Sequence, residues 1–483
     1  MSTKFLIHFA QIHTDFRIAE LESLARLNGI NVDLHKGSPD LSSPYLVVEL
    51  QSIDEAKKLI ERSILVKEIC EYWAEGKTYE ELFEKIKQNP ERNMLYKKDS
   101  FKFNVDVFGG SNTEEEKLRK INNFSFLPFK GPIDLKKPNQ EFMVYENYGD
   151  VDSPGGRSSE PKVIYFGRRI ASSSRYEMIK KFTLKQRKYL GTTSMDAELS
   201  LVMANQALAR PGTLMYDPFV GTGSMMLTCA EFGSYTMGSD IDGRQIRGTA
   251  GYRKGINGIK ANIDQYKLSH RILGNVVFDI CQNPWRAMDL YKDSGWIDLI
   301  VTDPPYGVRA GAKKLGRRNG TVEDYSFKIV DGVENHKRKD YYPPTVAYEM
   351  EDVVVDLLEF AAKMLVVRGR LVYWIPTVTE EYQLDDIPIH PALELVANSE
   401  QPFGSWSRRL ITMEKIREWS EADSKVYNTN PADSENSSRC TSSTSLSGLP
   451  NNKPSPAHRN FRARYFSKFI RQDSPATPAD AGN

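Results

Sequence analysis

The chain has few cysteines and no long apolar run, and each lack excludes a class of protein. Its 483 residues include four cysteines, with no C-x-x-C pair among them, so we expect neither a disulfide framework nor a cysteine-based metal site. No run of about 18 apolar residues is present, so we expect no membrane-spanning helix. The N-terminal apolar stretch is too short for a signal peptide and is typical of a first strand. These features predict a cytoplasmic protein with reduced thiols at Cys70, Cys229, Cys281 and Cys440.

The chain also lacks a large excess of either charge. It has 65 Lys and Arg residues against 64 Asp and Glu residues, for a formal net charge of +1. The overall field therefore does not attract nucleic acid, and any such contact has to come from local basic patches. The hydrophobic fraction of 40% is that of an ordinary soluble protein, and the length is sufficient for two or three domains.

Changes in composition and periodicity divide the chain into five segments. Alternating strand and helix patterns predict an α+β unit in residues 1–80 and a second one in residues 81–150. Residues 151–190 begin with a stretch rich in Ser, Gly and Pro and are predicted to be a linker. Residues 191–418 have the pattern of an open, mostly parallel α/β sheet. Residues 419–483 are rich in Ser, Asn, Thr and Pro and are predicted to be disordered.

The segment of residues 191–418 contains seven predicted strands and a long helix. An insertion separates the fourth strand from this helix, which is expected over residues 346–366. In open α/β sheets, ligands bind at the carboxyl ends of the parallel strands, so these ends are the place to look for a site. The predicted strands are residues 213–217, 235–240, 272–279, 297–303 and 369–375, followed by a closing hairpin pair at residues 393–398 and 408–413.

One strand end carries residues suited to chemistry on an amino group. The strand has to end at Asp303, because Pro304 and Pro305 have no backbone N–H to donate. The Asp303 carboxylate and the Pro304 carbonyl can accept both N–H bonds of an –NH2 group, which turns the nitrogen lone pair towards an electrophile. Tyr306 offers a flat face on which a base can stack, worth about 1–3 kcal/mol. Taken alone, these residues would equally suit a proline-rich turn capped by an aspartate.

The motif DPFVGTGS, at residues 217–224, closes the first strand of the sheet and opens a helix. Gly221 and Gly223 let the backbone pass close to a ligand, and the helix N-terminus offers free N–H groups. The third glycine of a dinucleotide fingerprint is replaced by Met226. This replacement argues against NAD and favours a smaller ligand that contains adenosine.

Carboxylates follow the next two strands. Asp240 lies about 20 residues past the glycines, where a carboxylate can bind ribose hydroxyls. Asp242 is the weaker candidate, because it can instead cap the next helix. Asp279 could accept from an adenine amino group or cap a helix before Pro284. Together these strand ends predict a nucleoside pocket beside Asp303.

Two basic stretches suit contacts with phosphate groups, which would make affinity dependent on salt. One lies between residues 168 and 188, and the other opens the insertion, where residues 309–318 include five basic residues and no acidic one. A solvated charged loop is the alternative for the second stretch. The predicted phosphate-binding residues are Arg168, Arg169, Arg187, Lys188, Arg309, Lys313, Lys314, Arg317 and Arg318.

These motifs together resemble a known family. Residues 187–413 resemble class I S-adenosylmethionine-dependent methyltransferases of the amino-group type, in which D-P-F-x-G-x-G-S binds the cofactor and D-P-P-Y holds the target amine. The segments FSFL (residues 124–127) and GPIDL (residues 131–135) resemble the THUMP RNA-binding module and its ferredoxin-like companion. With FGRRI (residues 166–170) and GSDID (residues 238–242), the chain to about residue 415 resembles the catalytic subunits of eukaryotic tRNA guanine-N2-methyltransferases acting at position 10.

This resemblance implies a fold, a reaction and partners. The expected fold is α/β, with a Rossmann-like class I methyltransferase domain preceded by an α+β ferredoxin-like and THUMP RNA-binding region. The expected reaction is methyl transfer from S-adenosyl-L-methionine to the exocyclic N2 amine of a guanosine in tRNA. The implied partners are tRNA and a small zinc-binding activator subunit in a heterodimer.

The resemblance also assigns roles to the residues of the motifs. The ribose of the cofactor would lie on Asp240 and its adenine near Asp279, and the target guanine would leave its stack and dock on Tyr306. Cofactor-binding roles are implied for Asp217, Gly221, Gly223, Asp240 and Asp279, and catalytic roles for Asp303, Pro304, Pro305 and Tyr306.

Other functions remain open at this point. D-P-P-Y also serves DNA and other RNA amino-methyltransferases, although the THUMP-like first 150 residues favour tRNA. Protein-glutamine methyltransferases usually carry Asn in place of Asp303. A non-catalytic RNA-binding subunit with a decayed cofactor site is a further alternative, against which four intact residues argue: Gly221, Gly223, Asp240 and Asp303.

Overall fold

The structure is a computed structural model that describes most of the chain and divides it into two compact units, residues 1–181 and residues 182–483. Within the described residues, no helix has both the length and the apolar composition that crossing a membrane requires. The described residues are 2–36, 40, 42–150, 158, 160–191, 194–249, 257–282, 285, 294–305, 312–316, 329–338 and 341–423.

The first unit is built on one six-stranded sheet. Its elements are β1 (Thr3–Phe9), α1 (Arg17–Asn28), β2 (Tyr45–Leu50), α2 (Ile53–Ile60), β3 (Val66–Gly76), α3 (Tyr79–Lys87), α4 (Pro90–Leu95), β4 (Phe101–Phe108), α5 (Glu114–Asn122), β5 (Gln140–Asn147), β6 (Val163–Ser172) and α6 (Arg175–Phe182). The strand order is β2-β1-β3-β6-β5-β4, with β4 and β5 parallel and the other pairs antiparallel.

The extent of this sheet disagrees with two of the predicted domain boundaries. The expected division near residue 80 falls inside a continuous sheet, because β3 pairs with β6 and β6 with β5. The sheet nevertheless carries separate hydrophobic clusters, among them one that includes Phe5 and Leu24 and another that includes Trp73 and Phe142. The segment predicted as a linker, residues 151–190, contains β6, a central strand, and α6.

The second unit is built on a seven-stranded sheet. Its elements are α7 (Ala197–Gln206), β7 (Leu214–Asp217), α8 (Ser224–Glu231), β8 (Tyr235–Asp240), α9 (Gly243–Arg247), α10 (Gly258–Tyr266), β9 (Ile272–Val277), β10 (Ile297–Thr302), β11 (Lys313–Leu315), β12 (Ile329–Val330), β13 (Val333–Glu334), β14 (Thr345–Ala347), α11 (Met350–Met364), β15 (Leu365–Val378), β16 (Leu393–Pro402) and β17 (Trp406–Lys415). The order is β16-β17-β15-β10-β7-β8-β9, with β15 to β9 parallel and β17 antiparallel to both of its neighbours.

All seven predicted strands of this unit are present, β8 with the predicted bounds. The long helix is shorter than expected, because residues 345–347 pair with β11 and the strand β15 already begins at Leu365. Asp196 accepts a hydrogen bond from the Leu199 backbone N–H and caps α7. The predicted tail lies outside the described residues except for residues 419–423.

The parallel registers bring three strand ends together. Ile300 of β10 lies opposite Tyr216 of β7, and Asp217 lies opposite Gly238 of β8. The carboxyl ends of β7, β8 and β10 are therefore neighbours at one edge of the sheet, where an open α/β sheet places its ligand.

Candidate active site

The turn after β7 is shaped by its own aspartate. Asp217 Oδ1 accepts hydrogen bonds from Thr302 Oγ1 at 2.6 Å and from the Phe219 backbone N–H at 3.0 Å. Gly221 has a φ of 49° and Gly223 a φ of 83°, in the left-handed region where glycine carries no steric cost. The motif DPFVGTGS therefore needs both glycines to make the turn that ends at the N-terminus of α8.

The end of β8 holds the same turn from the other side. The Val220 N–H donates to the Ser239 carbonyl at 2.8 Å, and the Gly221 N–H donates to Asp240 Oδ2 at 3.0 Å. Asp240 Oδ1 accepts from the Asp242 N–H at 2.8 Å, and each carboxylate oxygen keeps a lone pair for a ligand. Asp242 itself accepts from the Arg244 N–H and caps α9, the alternative role that the sequence offered.

Asp279 fastens the insertion to the end of the sheet. Its side chain is buried and accepts from the Cys281 N–H at 3.0 Å and from the Leu315 N–H of β11 at 2.6 Å. The structure thus gives this carboxylate a role in holding β11 that neither reading of the sequence anticipated.

Asp303 lies directly beyond β10 with one carboxylate oxygen unoccupied. Its Oδ1 is buried and has no hydrogen-bond partner among the described residues, and its Oδ2 lies 4.0 Å from Arg408 Nη1. Pro304 is buried and Pro305 is half-buried. Tyr306 lies outside the described residues. Asp303 therefore presents an acceptor oxygen that a ligand can use.

Burial changes the acidity of the three strand-end carboxylates. It raises the pKa of Asp217 to about 7, and the neighbouring charges of Asp240 and Asp303 add to the rise while the Thr302 hydrogen bond opposes it. Burial also raises the pKa of Asp240 to about 6 and that of Asp303 to about 6, with Arg408 opposing the second rise. Near neutral pH the site thus holds partly ionised carboxylates that a cationic ligand would stabilise.

The structure corrects the predicted role of Arg187. Its side chain is fully buried, and Nη1 donates to Ser224 Oγ at 2.6 Å, at the first residue of α8. A guanidinium inside the second unit cannot reach a phosphate in solution, so the predicted phosphate contact is wrong. The basic composition of residues 168–188 gave no indication of this burial.

Arg168 and Arg169 are occupied inside the first unit. Arg168 Nε donates to Glu71 Oε2 at 2.9 Å, and its guanidinium lies 4.5 Å from the centre of the Tyr96 ring. Arg169 pairs with Glu68 and Glu141. These pairs across neighbouring strands give both arginines a structural role in place of the predicted phosphate contact.

The lysines among the predicted phosphate ligands lie nearer to solvent. Lys188 and Lys313 are exposed, and the ammonium groups of Lys313 and Lys314 lie over the rings of Tyr342 and Tyr348 at 5.3 Å and 5.1 Å. Their contact with phosphate stays a prediction. Arg309, Arg317 and Arg318 lie outside the described residues.

Two residues that contact the site could not be singled out from the sequence. Thr302 directly precedes Asp303, but its position in the sequence indicates only the last residue of a strand. Arg408 is distant in sequence and reaches Asp303 only through the antiparallel pairing of β17 with β15. No local pattern marks either residue, because both depend on which strands lie side by side.

Comparisons with known proteins extend over nearly the whole chain. A family model described as "Tmrp11 THUMP N-terminal domain" matches residues 3–175, and one described as "RMKL-like, methyltransferase domain" matches residues 185–318. The predicted order of a THUMP-containing region followed by a methyltransferase domain is thereby confirmed.

Three relatives that match this chain over nearly their full length share the name of one enzyme. The tRNA (guanine(10)-N(2))-methyltransferase of Schizosaccharomyces pombe is 38% identical, over 96% of this chain and 96% of its own length. The Saccharomyces cerevisiae enzyme of the same name is 37% identical, over 96% and 99%. The Homo sapiens tRNA (guanine(10)-N(2))-methyltransferase TRMT11 is 36% identical, over 96% and 95%. Among solved structures, Thermus thermophilus TrmN is 17% identical over 86% of this chain and 100% of its own, with a TM-score of 0.41.

The raised pKa of Asp217 predicts a stability change that depends on pH. A carboxyl whose pKa is raised in the folded state destabilises the fold most at a pH above that pKa, because folding then has to bury a charge. Asp217→Asn keeps an acceptor oxygen and removes the charge. Its unfolding free energy should exceed that of the wild type by up to a few kcal/mol at about pH 8, since one pKa unit corresponds to about 1.4 kcal/mol.

Denaturant unfolding of both proteins without ligand, at about pH 5 and about pH 8, measures this difference. The gain should be smaller at the lower pH, where the wild-type carboxyl is already neutral in the folded state. An equal change at both pH values would contradict the assignment of a raised pKa to Asp217.

Proposed function

The chain belongs to the tRNA (guanine(10)-N(2))-methyltransferase family, and on that premise we propose that it transfers a methyl group from S-adenosyl-L-methionine to the exocyclic N2 amine of guanosine 10 in tRNA. Identity of 36–38% over nearly the full length supports the reaction and the substrate. Asp303 Oδ1, directly beyond β10, has no hydrogen-bond partner among the described residues, and this single structural observation carries the proposal, because an amino group needs such an acceptor.

The residues at the strand ends fit the proposed cofactor. Asp217 Oδ2 is buried and has no partner within the described part of the chain, so it can accept from the ammonium group of the cofactor. Among the described residues, a Cβ placed on Gly221 would meet only the Phe219 carbonyl oxygen, at 3.9 Å, so this part of the chain leaves space against the loop. Asp240 retains lone pairs for ribose hydroxyls, and the contact of Asp279 with adenine is proposed on family resemblance. When bound, S-adenosyl-L-methionine supplies an electrophilic methyl group on a sulfonium.

The proposed work of Asp303 and Pro304 is to orient the amine. Asp303 Oδ1 and the Pro304 carbonyl accept its two N–H bonds, which holds the N2 lone pair out of conjugation with the ring and in line with the methyl group. The bound cofactor would supply the methyl group to N2 and would keep the electron pair of its methyl–sulfur bond. One N2 proton passes to Asp303, whose pKa of about 6 lets the carboxyl release it to water at neutral pH. Tyr306 is proposed to stack on the guanine.

Substrate binding is proposed to involve both units. The THUMP-containing region supports a tRNA substrate. In the second unit, Lys188, Lys313 and Lys314 are the candidates for phosphate contacts, because the structure leaves them near solvent.

The proposed activator subunit has a suitable edge to bind. Within the described residues, β9 pairs with β8 on one side and ends the sheet on the other, so its outer backbone groups can accept another strand. Leu273, Val276 and Val277 of this strand are 61%, 41% and 48% exposed. The opposite edge, β16, has one large exposed hydrophobic residue, Leu395, at 40%. We therefore propose β9 as the binding site of the small zinc-binding partner.

Nucleoside analysis tests the proposed reaction. Unmodified tRNA and S-adenosylmethionine labelled on the methyl group are mixed with the full chain, with and without the activator subunit, and digested to nucleosides. The label should appear in N2-methylguanosine. Asp303→Ala should lower the rate by on the order of 10²–10⁴-fold, because Asp303 acts on the amine. It should leave the affinity for S-adenosylhomocysteine, which lacks the sulfonium charge, within about threefold.

Three outcomes would contradict this assignment. Label in another nucleoside would overturn the substrate, and unchanged labelling by Asp303→Ala would overturn the role of Asp303. Cofactor binding without any labelling would favour a non-catalytic RNA-binding subunit.

A matched pair of variants tests the partner surface. Leu273→Glu places a charge on the exposed face of β9, and Leu395→Glu does the same on β16 at the other edge of the sheet. Copurification of each variant with the tagged activator subunit, followed by size-exclusion chromatography, should show loss of the heterodimer for Leu273→Glu alone. Loss of the heterodimer for Leu395→Glu alone would place the partner at β16 instead.

A further inference from the structure

Arg408 is brought to the active site by the sheet. It lies on β17 opposite Pro376 of β15, and β15 runs beside β10, with Tyr373 opposite Thr302. This arrangement places Arg408 Nη1 4.0 Å from Asp303 Oδ2. Within the described part of the chain, no other ion pair of Asp303 is seen.

The guanidinium of Arg408 is held on three sides. It lies 4.2 Å from the centre of the Trp374 ring, and its Nε donates to Gln401 Oε1 at 2.7 Å. Nη2 lies 3.7 Å from Met195 Sδ, and 11% of the side chain is exposed. An arginine fixed in this way loses little conformational freedom when it approaches a carboxylate.

Two influences on the pKa of Asp303 act in opposite directions. Burial disfavours the ionised carboxylate, and Arg408, from β17, favours it, while the charge of Asp303 in turn raises the pKa of the buried Asp217, from β7. Burial is the larger effect and leaves the pKa of Asp303 at about 6. Without Arg408 this pKa would rise further, and the carboxyl would be protonated at a pH where it has to accept an N–H bond.

We propose that Arg408 is a positioning residue for the reaction: it holds Oδ2 of Asp303, so that Oδ1 faces the N2 amine, and it keeps the carboxylate ionised. This inference rests on the proposed function. The distance of 4.0 Å exceeds that of a hydrogen bond, and catalytic hydrogen bonds are often long before substrate binds and tighten in the complex.

The neighbouring arginine provides a matched control. Arg409 points to the other face of β17, where its Nη2 donates to Glu400 Oε2 at 2.7 Å and its guanidinium lies over the Tyr382 ring at 3.5 Å. Arg409→Met removes the same functional group from the same strand without touching Asp303. Arg408→Lys keeps the charge with different geometry, and Arg408→Met removes it.

Kinetics across about pH 5 to pH 9 separate the two variants at position 408 from the control. Arg408→Met should lower kcat on the order of 10–100-fold, because a misplaced catalytic group costs about that much, and should leave KM for tRNA within about threefold. The acid limb of its pH profile should move up by about one unit. Arg408→Lys should return the acid limb most of the way to its wild-type position, and the profile of Arg409→Met should match that of the wild type.

A titration of the Asp303 carboxyl provides a readout that does not need activity. Carbon-13 NMR of labelled aspartate, assigned by difference with Asp303→Asn, should show a higher pKa in Arg408→Met than in the wild type. If the wild type fails to methylate guanosine but this shift is present, the proposed function fails while the electrostatic contact stands. If Arg408→Met does not fold, Gln401→Leu, which releases Nε of Arg408, should show a smaller shift of the same sign.

Several results would overturn the inference. A raised KM for tRNA at unchanged kcat would make Arg408 a substrate contact. Equal losses in Arg408→Met and Arg409→Met would assign both arginines to the stability of β17. An unchanged pKa of Asp303 in Arg408→Met would remove the electrostatic role.

Discussion

Three carboxylates lie at the carboxyl ends of β7, β8 and β10, Asp217 buried and Asp240 and Asp303 half-buried, and the site is arranged around them. Burying a charge costs free energy unless hydrogen bonds or an opposite charge compensate for it. Asp217 accepts hydrogen bonds from the Thr302 hydroxyl and the Phe219 N–H, and Asp240 accepts them from the N–H groups of Gly221 and Asp242. These bonds fold the glycine-containing turn onto the sheet. Among the described residues, Asp303 has a distant arginine as its one partner, so its Oδ1 remains available as an acceptor.

The same electrostatic arrangement suits the proposed chemistry. Partly ionised carboxylates attract a cationic methyl donor, and a carboxylate with a pKa near 6 can accept a proton from an amine and lose it at neutral pH. The cost is stored in the unligated protein, as is common at active sites where stability is given up for function. Full pairing of Asp303 within the protein would remove this cost and also the acceptor that the amine requires.

Local features of the site were predictable from the sequence, and long-range ones were not. The turn at Gly221 and Gly223, the cap at Asp242 and the strand that stops at Asp303 each depend on a few adjacent residues. The roles of Arg168, Arg187 and Arg408 depend on which strands and helices meet, and a basic residue looks the same in sequence whether it is exposed or buried. For the same reason alternating strands and helices did not show that β3, β6 and β5 form one sheet across residue 80.

The pH dependence of ligand affinity tests this electrostatic account most directly. Calorimetry with the full chain between about pH 5 and pH 8 would compare S-adenosylmethionine with S-adenosylhomocysteine, which lacks the positive charge on sulfur. If the strand-end carboxylates face that charge, the advantage of S-adenosylmethionine should grow as pH rises through about 6 to 7, where Asp303 and Asp217 ionise. A ratio of affinities that does not change over this range would contradict the account.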